Sequence, residues 1–98
     1  LSPTLRFLPE AVKELEEAVL WYRKQTPFLG NQFTTAFEST IERMIQFQDA
    51  FPLYRKSVRR ALIPKFPYGI FYVQGINSIQ ILAVFHLKQD PHKLNKRA

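Results

Sequence analysis

The 98-residue sequence predicts an α+β domain of order β-α-α-β-β-β, a small antiparallel sheet with an N-terminal helical hairpin packed on one face. Three observations carry this expectation. Apolar residues recur at helical spacing twice in the first half, at Val12, Leu15, Val19 and Tyr22 and again at Phe33, Phe37, Ile41 and Met44. The second half, residues 58–86, is apolar and β-branched and is broken by turn residues into three runs. The length fits a single domain spanning 1–98.

Residues 4–8, Thr-Leu-Arg-Phe-Leu, read as a first short strand bounded by Pro3 and Pro9. Pro9 suits the first turn of a helix, where an amide hydrogen is not needed. The Val12 stripe extends that helix to about Gln25, because Pro27 disfavours helical geometry in the residue before it. Trp21 falls beside the stripe and is expected to stay partly exposed, as a partner-facing aromatic. Residues 26–31 form a short connection, with Asn31 as the expected start of a second helix running to Phe47. Helices so joined lie roughly antiparallel. Residues 48–57 read as a loop that turns basic at Arg55 and Lys56.

Strands are expected at Val58–Ile63, Tyr68–Gln74 and Ser78–His86, with a bend at Phe66-Pro67 and a hairpin turn at Gly75-Ile76-Asn77. Alternation puts Arg59, Ala61 and Ile63 on one face of the first, and Arg60 and Leu62 on the other. The last is apolar on both faces, Ile79, Ile81, Ala83 and Phe85 against Leu82 and Val84, as a central strand requires. The tail from Leu87 onward reads equally as a short helix or an unstructured end. With the helices on one side, the other side of the sheet is expected to be open, concave and basic.

Charge is segregated. Residues 1–50 carry five Lys/Arg and seven Asp/Glu, net −2; residues 51–98 carry nine and one, net +8; together these give the +6 of the chain. A basic half suggests a polyanionic or acidic partner. The absence of cysteine excludes a disulfide framework and a thiolate metal site, and fits a reducing cytoplasm. No apolar run reaches the roughly 18–20 residues of a membrane span, and the first residues lack the order of a signal peptide. No phosphate-binding loop, dinucleotide glycine pattern or nucleophile elbow is present. No metal or cofactor is expected.

The succession Arg59-Arg60, then Phe66-Pro67-Tyr68-Gly69-Ile70-Phe71-Tyr72, then Ile81-Leu82-Ala83-Val84-Phe85-His86, then Asp90-Pro91 resembles the ParE/RelE superfamily of toxins from bacterial type II toxin–antitoxin systems. It is most similar to the plasmid-stabilisation, ParE-like branch, and the positions of Leu15, Tyr22, Phe33, Phe37 and Ile41 in the hairpin agree. The resemblance implies a growth-inhibiting toxin neutralised by a cognate antitoxin, in a toxin–antitoxin hetero-oligomer. For ParE-like members it implies a poison of DNA gyrase, without enzymatic activity. For RelE-like members it implies a ribosome-dependent mRNA endonuclease. Many relatives carry a basic residue three positions after the histidine; here that position is Gln89, beside Lys88.

Metal-independent RNA cleavage needs a base, an acid and cations on the phosphate. His86 is the candidate acid or base, since an imidazole ordinarily titrates near neutrality, and Arg59 or Arg60 the candidate phosphate clamp. Arg55, Lys56, Lys65 and Lys88 are candidates to add charge at a target or nucleic-acid surface, and Tyr68 or Tyr72 to stack a base. A second acid–base group is missing from the basic half, where Asp90 abuts Pro91 and His92 lies in the tail. Family antitoxins wrap their toxin with a helix and an extended segment; the hairpin residues Trp21, Tyr22, Phe33 and Phe37 are the candidates to receive the helix.

Overall fold

Residues 2–97 are described by a computed structural model. Thr4–Phe7 forms β1, and Pro9 at the head of α1 (Pro9–Gln25) turns the chain away from it. Glu10 in the first turn and Arg23 and Lys24 in the last complement the helix dipole. The buried line of α1 runs through Ala11 and Ala18, with Leu15, Val19 and Tyr22 beside them, while Val12 is exposed. The stripe is therefore rotated by one position from the expected one. Alanines occupy the innermost places because α1 packs against both α2 and the sheet.

The second helix, α2 (Pro27–Gln46), starts four residues earlier than Asn31. Thr26 is its N-cap: its hydroxyl oxygen accepts the Leu29 N–H at 3.0 Å, and Pro27 takes the first helical position. Pro27 thus ends one helix and begins the next. Gly30 then lies inside α2 and not in a turn. A Cβ there would stand 3.1 Å from Arg23 Cβ, so the glycine permits the close crossing of the two helices. Phe33, Phe37, Ile41 and Met44 face the core as expected, with buried Thr40 returning its hydroxyl to the Ala36 carbonyl at 2.8 Å.

The sheet has five strands in the order β1-β5-β4-β3-β2, with β2 at Leu53–Arg55, β3 at Val58–Leu62, β4 at Tyr68–Gly75 and β5 at Ser78–His86. Two features differ from expectation. Residues 53–55, read as loop, pair with β3. The sheet is mixed, because β1 runs parallel to β5, from Thr4 opposite Ser78 to Phe7 opposite Ile81. The helical hairpin returns the chain to the end at which β1 finished, and because β2, β3, β4 and β5 alternate in direction, the unexpected β2 makes β5 run the same way as β1.

A bulge in β5 sets the position of everything after it. Phe71 pairs with Ala83, but Tyr72 pairs with Ile81, leaving Leu82 without an opposite number. Before the bulge, Ile79 and Ile81 face the helices; after it, Val84 does, while Leu82, Ala83 and Phe85 join the cluster on the other face. Simple alternation would have kept Ala83 and Phe85 with Ile81.

The face away from the helices is not open. Val58, Phe71, Leu82, Ala83 and Phe85 are buried there under Leu94, which stands in a 3-10 turn at Pro91–Lys96. The turn is capped by the Asp90 carboxylate, which accepts the His92 N–H at 3.0 Å. Asn95 meets Arg55, and Tyr54 closes the remainder edge-on against Phe71. The tail is therefore ordered, held down by one leucine and a polar residue at each side. Among the described residues, no helix is long and apolar enough to cross a membrane.

Candidate functional site

The two polar ends of the sheet region do not meet. Arg59 stands opposite Tyr72 on β4, and His86 stands opposite Tyr68. Four residue steps along β4 separate those partners, about 13 Å along the strand, and two strand spacings add about 10 Å across it. Arg60 points to the face away from the helices, with its guanidinium carbon 5.1 Å from the Tyr54 ring centroid. No single phosphate can touch all three.

Each of these groups already has local work. Arg59 donates to the Phe51 carbonyl at 2.6 Å and to Gln74 Oε1 at 2.8 Å, and lies 3.6 Å from Asp49. It fastens the 47–52 segment to the sheet. His86 sits at the end of β5 on the helical side, a position it owes to the bulge, with its ring 5.1 Å edge-on from Tyr68. Its Nδ1 accepts the Lys88 N–H at 3.1 Å, which places the proton of the neutral ring on Nε2. The imidazole thus offers a donor outward, and its basic nitrogen is occupied.

His86 borders a cleft of about 860 Å³ between α1 and the end of β5. Trp21, Tyr22, Pro67 and Tyr68 form its aromatic end; Glu10, Lys13, Gln89 and Lys93 ring it; Glu14 and Arg97 close it. Trp21, 57% exposed, leans edge-on against Tyr22, which stacks on Phe33 and meets Phe66 and Tyr68 edge-on. An unbroken series of rings therefore runs from the exposed indole to the core. Phe33 and Phe37 are buried and cannot meet a partner; of the four hairpin candidates, Trp21 and the rim of Tyr22 remain available.

The other candidates are scattered. Tyr72 is fully buried, so it cannot stack a base, and its hydroxyl has no hydrogen-bond partner among the described residues. Lys65, at a positive φ of 70°, lies with Arg43 on a second groove along α2. Arg55 and Lys56 stand exposed at the β2–β3 turn, and Lys88 is exposed beyond β5. Among the described residues no cluster of His, Cys, Asp or Glu is placed to hold a metal ion. Sequence reasoning missed Glu14 and Arg97 as cleft residues. Nothing in their local pattern marks them, because the bulge and the folded-back tail bring them together.

Burial pushes the phenols of Tyr22, Tyr68 and Tyr72 above their ordinary value of 10.0; Tyr68 adds to the effect at Tyr22, and at Tyr72 Arg59 opposes it while Asp49 adds to it. Above pH 10 the unfolded chain releases these protons while the folded chain keeps them. The corresponding stability is thus present below about pH 10 and lost as pH rises beyond it. Urea midpoints measured from neutral pH upward are expected to fall once the ordinary phenol range is passed.

Comparisons with known proteins give one family match and one likeness of fold. The family model described as the ParE toxin of the type II toxin–antitoxin system parDE matches residues 5–91. A sequence search of curated proteins gives no match. Among solved structures, a chain of the chromosomal ParDE TA system from P. aeruginosa superposes with a TM-score of 0.73 at 16% identity, covering 86% of this chain and 95% of that one. At that identity the superposition speaks for the fold.

Proposed function

We propose, from the premise that this chain belongs to the ParE toxin family of type II toxin–antitoxin systems, that it arrests growth by gripping DNA gyrase in the bacterial cytoplasm and is neutralised by a cognate antitoxin. The observation that carries the choice of gripping over cutting is the dispersal of Arg59, Arg60 and His86. RNA cleavage requires a base, an acid and a cation within hydrogen-bond reach of one phosphodiester. Here one arginine is spent on the 47–52 segment, the other lies across the sheet, and the histidine's basic nitrogen accepts a backbone amide. A protein-binding poison needs none of these to converge.

The +8 half supports the same reading. Arg55, Lys56, Lys65 and Lys88 are exposed, and an acidic partner surface is attracted to them and steered on approach. The antitoxin is assigned to the α1–β5 cleft, where Trp21 offers a large rigid contact at the rim. Expression from a tightly repressed promoter tests the reading. Filamentation with a DNA-damage response, while translation continues, is expected. Immediate translation arrest with cleaved transcripts would instead assign the chain to mRNA cleavage.

A further inference from the structure

The parallel partner β1 leaves β5 early. Its last contact is the Leu8 N–H donating to the Ile81 carbonyl at 3.0 Å, after which Pro9 turns the chain into α1. Among the described residues, no strand stands beside the outer edge of β5 from Leu82 onward. Two side chains take the strand's place. Glu14 Oε1 accepts the Val84 N–H at 3.0 Å, and Arg97 Nη1 donates to the Leu82 carbonyl at 3.0 Å.

The two side chains also hold each other. Arg97 Nη1 and Nη2 donate to Glu14 Oε1 and Oε2 at 2.9 and 2.8 Å, a two-pronged pair in which Arg97 is 10% and Glu14 15% exposed. The guanidinium carbon lies 5.2 Å from the Phe85 ring centroid. Residues 83 positions apart are thus joined over the bulge. The rest of the turn is attached lightly: Leu94 is its one buried side chain, and Asn95 meets Arg55 at the surface.

We propose that the turn Pro91–Arg97 is a latch. Closed, it lets Arg97 and Glu14 occupy the edge groups of Leu82 and Val84 and seals the end of the α1–β5 cleft. Open, it uncovers those groups, which are the ones an added strand would bond. Latch and added strand are mutually exclusive on this edge, so the closed latch shields β5 from edge pairing.

Two readouts on the full chain test this, with Glu14→Gln, Arg97→Gln and the double variant. Leu94 is buried, so trypsin reaches the Lys93–Leu94 bond only when the turn lifts off. A hydrogen bond to a charged group contributes enough that losing the pair should speed cleavage after Lys93 by about tenfold or more. Glu14→Gln is expected to do so as Arg97→Gln does, with the double variant no faster than the faster single one. Cleavage at the exposed Lys65, which touches nothing in the turn, should not change. Amide exchange at Val84 should accelerate in parallel, while that at buried Ile70 stays as in the parent. Unchanged cleavage after Lys93 in Glu14→Gln would overturn the proposal, as would continued protection of Val84 when that bond opens. Ile70 exchanging in step with Val84 in both single variants would overturn it too, since the turn would then unfold only with the whole domain.

Discussion

Phe33→Ala is expected to lower stability by about 3–5 kcal/mol, the range for removing a fully buried aromatic ring. The ring is 0% exposed, stacks on Tyr22 at 5.1 Å and receives Phe66 and Tyr68 edge-on at 5.1 and 5.2 Å. It sits where α2 meets both α1 and the β3–β4 bend, so the cavity is bordered by three elements and cannot collapse onto one. A domain of this size has about 5–15 kcal/mol of stability in total, so a single truncation takes a large share. Urea denaturation checks it. A variant with parental stability but weakened antitoxin binding would mean that Phe33 lies on a partner surface and not in the core.

Arg59→Ala is expected to cost about 2–3 kcal/mol, whereas Arg60→Ala is expected to cost about 1 kcal/mol or less. Arg59 is only 20% exposed, and its loss leaves the Phe51 carbonyl without that donor and Gln74 Oε1 without its partner. Asp49, 91% exposed, adds little. Arg60 rests its guanidinium on Tyr54 at the half-buried rim and makes no comparable bond. Thermal unfolding of both variants separates the neighbours. It also guards the reading of any growth assay, because loss of toxicity in Arg59→Ala would follow from a loosened 47–52 segment without any role in chemistry.

The helical hairpin was legible because its signals are local. Phe33, Phe37, Ile41 and Met44 recur at helical spacing, and Pro27 stops α1 by its own geometry. The start of α2 was legible in principle as well, since a threonine before a proline is a cap followed by a favoured first residue; Asn31 competed with it on composition alone. The parallel placement of β1 depends on where a distant strand ends up, and four residues carry no mark of it. The bulge at Leu82 is the decisive hidden feature. An unbroken apolar run gives no sign of where alternation slips, so the face that receives His86 was not readable. The tail looked polar because five of the seven residues from Pro91 to Arg97 are, yet Leu94 and Arg97 suffice to fasten it. The exposure of Trp21 was legible from its place beside the stripe, and the arginines' opposite faces from simple alternation.

On the proposed reading the chain grips gyrase and does not cut RNA. Purified chain incubated with DNA gyrase, ATP and plasmid, followed by quantification of cleaved plasmid trapped on the enzyme, tests it most directly. Trapped cleavage is expected to rise with the concentration of the chain and to persist in His86→Ala. Gyrase left unaffected at saturating chain, together with His86-dependent cutting of ribosome-bound mRNA, would contradict it.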